Sequence, residues 1–131
     1  MNITLEADYA IRIVHCLSMH GKRMDAKHIS ELTGVTLRFS LKILRKLVGA
    51  GIVKSFKGTQ GGYELAKSPA EISLAEVLEV IEGPYNLNRC GTGEFVCTRI
   101  KDKPCAMQKI FCEISRDVRE RLDKAKFADF I

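Results

Sequence analysis

The sequence predicts a mainly α-helical chain: a helix-turn-helix, then a small β-hairpin, then a long C-terminal helix. Three observations lead there. Apolar residues recur at helical spacing in three successive segments before Gly51, each bounded by capping residues. After Gly51 the period shortens to that of strands, in two runs joined by the glycine-rich KGTQGG. Towards the end, Met107, Phe111, Ile114, Val118 and Leu122 form an apolar stripe longer than a small core of this kind needs.

The first helix covers residues 4–20. Thr4 caps it, Leu5, Tyr9, Ile13, Cys16 and Leu17 recur along one face, and Gly21 follows the end. Asp25 caps a short second helix with Ala26, Ile29 and Leu32 on one side, stopped by Gly34. Thr36 opens a third helix that runs to about residue 49. Ile43, Leu44 and Leu47 share its inner side, with Leu37 and Val48 near them. Arg38, Lys42 and Arg45, at i, i+4 and i+7, fall on the other.

IVKSF and YEL form the two strands, and Ser73-Leu-Ala-Glu76 is a capping box for a fourth helix bearing Leu74, Val77, Leu78 and Ile81. Gly83-Pro84 stops that helix, and Pro104 suits the first turn of the last one. A helix pair whose second member carries an outward basic stripe, followed by a hairpin with Lys57 at its tip, is a winged helix-turn-helix. The final stripe either packs against the first helix of the same chain or meets a partner subunit; its length favours the partner, and a two-fold dimer would offer two reading helices to a two-fold operator.

Charge supports this assignment. The net charge of +5 is uneven: residues 1–67 hold 11 Lys/Arg against 5 Asp/Glu, and residues 68–131 hold 10 against 11. Between residues 36 and 60, Arg38, Lys42, Arg45, Lys46, Lys54 and Lys57 occur with no acid among them, a patch suited to a polyanion. No apolar run approaches the roughly 18 residues of a membrane span. Glu6 and Asp8 stand where a secretory signal would be basic, so the chain is expected in the cytoplasm, where thiols stay reduced. No phosphate-binding glycine loop, paired catalytic carboxylates or nucleophile–base spacing is present, and no enzymatic activity is expected.

Four of the five cysteines, Cys90, Cys97, Cys105 and Cys112, fall within 23 residues. Disulfides are disfavoured by the expected compartment and by the odd total. Structural zinc usually takes ligands in pairs two to four residues apart; no such pair exists, and His15, His20 and His28 lie far away in sequence. Cys112 lies on the same helical face as Cys105, but about 10 Å of rise further on, and reads as a spare thiol or a replacement fourth ligand. Cys16 reads as core.

Three stretches carry a resemblance: Thr4-x-x-x-Asp8-Tyr9-Ala10-x-Arg12, then Ile52-Val53-x-Ser55-x-Lys57-Gly58-x-x-Gly61-Gly62-Tyr63-x-Leu65-Ala66, then Ile72-Ser73-Leu74-x-Glu76-Val77. Over nearly its whole length the chain resembles the bacterial winged-helix regulators that include the iron–sulfur cluster regulator and the nitric-oxide-sensitive repressor. The resemblance implies a 2Fe–2S or 4Fe–4S cluster held by Cys90, Cys97 and Cys105, which match in order and context. Their gaps are six and seven residues where relatives have five, and Gly91 and Gly93 give the segment slack. The branch with a histidine after the third cysteine is disfavoured, since Met107 and Gln108 stand there. In the nitric-oxide-sensing branch an aspartate early in the first helix is donated across the dimer, and Asp8 occupies that place; its other reading is an i, i+4 ion pair with Arg12.

For DNA, Thr36 at the start of the reading helix is expected to bond a phosphate or base, and Arg38 and Lys42 to reach base edges or phosphates. Ser40 is counted with this surface, with Leu41 at its edge, although relatives tend to have an apolar residue followed by a polar one there. Lys57, Thr59 and Gln60 at the wing tip approach the neighbouring minor groove; relatives prefer arginine at position 57. Three regions result: a winged helix-turn-helix over 1–83, a cysteine-rich cluster-binding loop over 84–104, and a dimerisation helix with tail over 105–131. The expected protein is a homodimeric DNA-binding repressor sensing nitric oxide, redox state or iron through its iron–sulfur cluster. The alternative is a cluster-free winged-helix regulator that responds by thiol oxidation.

Overall fold

The computed structural model of the chain describes residues 1–92, 97–99 and 105–131. Among these residues the elements are α1 Leu5–His20, α2 Ala26–Thr33, α3 Leu37–Gly49, β1 Val53–Phe56, β2 Gly62–Leu65, α4 Leu74–Glu82 and α5 Ala106–Lys124, with short 3-10 turns between and after them. The fold is mainly α with a two-stranded antiparallel wing, as the periodicity predicts. Pro104, expected in the first turn of the last helix, lies outside the described residues.

Helix starts follow the capping residues. Thr4 Oγ1 accepts from the Ala7 N–H at 3.1 Å, an Asp25 carboxylate oxygen from His28 at 2.7 Å, and Thr36 Oγ1 from Phe39 at 3.3 Å. Ser73 Oγ accepts from Glu76 at 3.1 Å, but the reciprocal half of the expected capping box is missing because the Glu76 carboxylate binds Lys67 instead. A complete capping box forms nearby, between Ser68 and Glu71, around a 3-10 turn at Pro69–Glu71.

One core unites α1–α4 and the wing base. It contains Ala10, Ile13, Val14 and Leu17 of α1, Ile29 of α2, Ile43, Leu44 and Leu47 of α3, then Ile52, Val53, Ile72 and Val77. Cys16 belongs to it, as its place on α1 predicts. Leu5 and Leu32 do not: they are 62% and 51% exposed. The inner face of α1 is centred on Ala7, Ala10, Val14 and Leu17, which turns Leu5 outward, and α2 buries only Ile29.

The wing pairs Val53 with Leu65, Lys54 with Glu64, Ser55 with Tyr63 and Phe56 with Gly62. A third segment joins it. Met24 N–H donates to Tyr63 O at 2.9 Å and Tyr63 N–H to Met24 O at 2.7 Å, bridging the α1–α2 connection to β2. This contact explains Gly62, and the tightness of the wing turn explains Gly61. A Cβ on Gly62 would lie 2.6 Å from Met24 O, at φ +141°, and one on Gly61 would lie 2.7 Å from Phe56 O.

The C-terminus returns to the core. Phe127 N–H donates to Ile72 O at 3.0 Å, Leu74 N–H to Ala125 O at 2.9 Å, and the Phe127 ring is 1% exposed within the same cluster as α1 and α3. The tail therefore shares the core of residues 1–83. Along α5 itself, Met107, Phe111 and Ile114 of the sequence-read stripe, together with Ile110, are exposed. Segment 84–88 is fastened to α5: Leu87 N–H donates to Ser115 Oγ at 2.9 Å, and Arg119 Nη1 donates to Tyr85 O at 2.6 Å. No helix among the described residues is long and apolar enough to cross a membrane.

Candidate DNA-reading face and cysteine loop

Packing of Ile43, Leu44 and Leu47 against α1 and β1 fixes which side of α3 faces outward. Arg38, Leu41, Lys42 and Arg45 line that side, and with Phe39 they border a surface cleft of about 580 Å³. Thr36, Arg38 and Lys42 are exposed where the sequence places them, and Lys57, Thr59 and Gln60 are exposed at the wing tip. Ser40 corrects the sequence reading. It is fully buried, and its Oγ donates to Val35 O at 3.4 Å, so it is not on the reading surface. Residues 40, 43, 44 and 47 share one helical face, and the hydroxyl tolerates the interior because a backbone carbonyl accepts from it.

Two residues that sequence reasoning missed support this face. Glu6 Oε1 accepts from Lys46 Nζ at 2.7 Å and lies 3.7 Å from Lys42 Nζ, joining α1 to the reading helix. The Lys46 hydrogen bond holds the Glu6 carboxyl below its usual range, opposed by partial burial and helped by Lys42. Arg23 steadies the wing: its guanidinium lies 3.3 Å from the Phe56 ring centroid, and Nη1 donates to Gln60 O at 2.9 Å. Both contacts join segments far apart in sequence, so no local pattern announces them.

Asp8 Oδ2 lies 2.9 Å from Arg12 Nη2, the intrahelical ion pair, with both side chains about half exposed. None of the five cysteines forms a disulfide. Cys16 is buried, which pushes its thiol pKa up. Cys105 is the N-cap residue of α5 and its thiol is lowered, chiefly because the Gln108 backbone N–H faces it, opposed by desolvation and helped by Met107 N–H and Arg99. Neither N–H closes a full capping bond. Arg99 Nη2 lies 3.8 Å from Cys105 Sγ, and Gln108 Nε2 donates to Cys90 O at 3.5 Å. Gln108 thus fastens the Cys90 backbone to the first turn of α5, the turn that Cys105 opens.

The donor chemistry fits thiolate ligation of an iron–sulfur group: three half-buried cysteines, one of them disposed to ionise. Among the described residues no three His, Cys, Asp or Glu side chains converge as a metal site. His28 is exposed, its ring 6.3 Å from that of His20.

A solvent-facing basic helix beside a glycine-tipped wing, on a core closed by Phe127 beyond a long C-terminal helix, defines a winged-helix DNA-binding transcription regulator. The comparisons agree on the particular group. Residues 3–131 match the Rrf2 family, described as an iron-dependent transcriptional regulator, and this chain belongs to that family. The HTH-type transcriptional regulator NsrR of Shouchella clausii is 25% identical over 133 residues, covering 100% of this chain and 89% of that protein. Two solved structures share the fold at TM-score 0.80 and 23% identity, each covering 99% of this chain: T. potens IscR, over 85% of its length, and CymR, the global cysteine regulator of B. subtilis, over 95%.

Proposed function

We propose that this chain is a cytoplasmic, homodimeric repressor that reads a two-fold operator with α3 and the wing. Its control is assigned to an iron–sulfur group held by Cys90, Cys97, Cys105 and Asp8 of the partner subunit. The observation that carries this reading is the placement of Cys105. It opens α5 with a lowered thiol, beside the Cys90 backbone, on the helix that exposes Met107, Ile110, Phe111 and Ile114 for a second copy.

When bound, such a group supplies a centre reactive toward nitric oxide and oxidants. The chain's own part is mechanical. To ligate, Asp8 must release Arg12, and Asp8 lies on the same first turn of α1 as Glu6, which grips Lys42 and Lys46 of the reading helix. A coupling of roughly 1–3 kcal/mol between loop and reading face suffices to switch occupancy.

Thiol control without a cluster is the second reading. It is favoured by the Arg99–Cys105 contact, which stabilises a reactive thiolate. Oxygen-free purification, iron and sulfide analysis and an absorption spectrum separate the two, repeated on Asp8→Ala. Iron-free protein that binds DNA as tightly as iron-loaded protein would refute cluster control. An unchanged spectrum in Asp8→Ala removes Asp8 from the ligand set.

A further inference from the structure

The reading helix is basic, yet its outward face is not uniformly polar. Leu37 is 45% exposed and Leu41 42% exposed, one turn apart on one side of α3, interleaved with Arg38 and Lys42. Leu41 borders the cleft together with Arg38, Phe39, Lys42 and Arg45. Phe39 is occupied elsewhere, edge-on to Tyr9 at 5.9 Å between ring centroids and beneath Lys42 Nζ at 5.9 Å. The core of α3 is complete without either leucine, since Ser40, Ile43, Leu44 and Leu47 already fill its inner face.

Two aliphatic side chains at the N-terminal end of a major-groove helix have one apolar partner on B-DNA, the thymine 5-methyl group. Resting on the reading of α3 as the groove-entering helix, we propose that Leu37 and Leu41 are specificity-determining residues, each seated on one thymine methyl in every half-site. Side chains at i and i+4 have Cβ atoms roughly 5–6 Å apart. Successive bases on a strand are separated by about 3.4 Å along the axis. The two thymines therefore lie one to two base-pair steps apart. Arg38 and Lys42, between and beside the leucines, supply the phosphate or guanine contacts that hold the helix in register.

The test uses the full chain. Duplexes with a randomised core are enriched on the purified protein, and each thymine of the winning sequence is then replaced by deoxyuridine, which removes only the methyl. At two positions per half-site, one to two steps apart, binding is expected to fall about fourfold each, the transfer value of one buried methylene. Leu41→Ala abolishes the thymine–uracil difference at one position and Leu37→Ala at the other, while the salt dependence of binding stays unchanged. Both leucines are exposed, so folding is preserved, and an unaltered melting temperature verifies it. Uracil tolerance at every position overturns the proposal, as does a methyl effect that survives in the double variant. Failure to enrich any duplex refutes the assignment of α3 as the reading helix and is distinct from both outcomes.

Discussion

Replacing Glu6 with glutamine separates two effects that usually travel together. In the native chain Glu6 Oε1 accepts from Lys46 at 2.7 Å and lies 3.7 Å from Lys42, so one carboxylate restrains two cations of the reading helix. Its side chain is 23% exposed and those of Lys46 and Lys42 are 38% and 57% exposed; pairs in such settings contribute roughly 0.2–1 kcal/mol. Glu6→Gln is therefore expected to lower stability by no more than about 1 kcal/mol, read from urea unfolding. DNA binding should strengthen, because Lys42 no longer has a competing carboxylate. One additional phosphate contact steepens the logarithmic salt dependence by about 0.9. Fluorescence anisotropy across a salt series reads both the slope and the affinity. Because the Glu6 carboxyl is held below its usual value of 4.5, chiefly by Lys46, its contribution to stability is complete above that value and lost as pH falls through the lowered one. The stability gap between native and variant protein should close over that acid range. Weaker DNA binding in Glu6→Gln, or an unchanged slope, refutes the idea that the carboxylate competes with phosphate.

Other consequences can be measured directly. Phe127→Ala, at a ring 1% exposed, should cost about 3–5 kcal/mol in denaturant unfolding, although it lies beyond the last long helix. Gly62→Ala forces a Cβ to within 2.6 Å of Met24 O, so it should detach the wing from the α1–α2 connection, seen as faster hydrogen exchange at Met24 and Tyr63 and weaker DNA binding. In iron-free, reduced protein near neutral pH, Cys105 should alkylate faster than Cys112, since the Gln108 backbone N–H and Arg99 favour the Cys105 thiolate; peptide mapping after a short iodoacetamide pulse reads this. Equal labelling removes the special reactivity assigned to Cys105.

Most of the fold was legible because caps and periods are local. Thr4, Asp25, Thr36 and Ser73 each sit at the N-cap that sequence reading assigned, and the change of period at Gly51 marks the wing. What escaped was tertiary. The Met24–Tyr63 bridge, the return of Phe127 and the grip of Glu6 on Lys46 join residues 39, 55 and 40 positions apart, counting Phe127 from its backbone partner Ile72. Ser40 is counted with the reading surface beside Leu41, while its helical phase and the Val35 carbonyl turn it inward. In the cysteine loop, residue identities point to ligation chemistry, while the tie of the Cys90 carbonyl to Gln108, one turn into the helix that Cys105 opens, is a tertiary contact that no spacing announces.

The seating of Phe127 has a mechanical implication. With its far end stitched to Ile72 and Leu74 and its middle tied to Tyr85 and Leu87, α5 is a stiff arm held from Ser115 onward. Nineteen residues at 1.5 Å each make that helix roughly 28 Å long, and the turns ahead of Ser115 account for about half of it. One unbroken helix thus joins the Cys105 end of the chain to the residues that pair with Ile72 and Leu74.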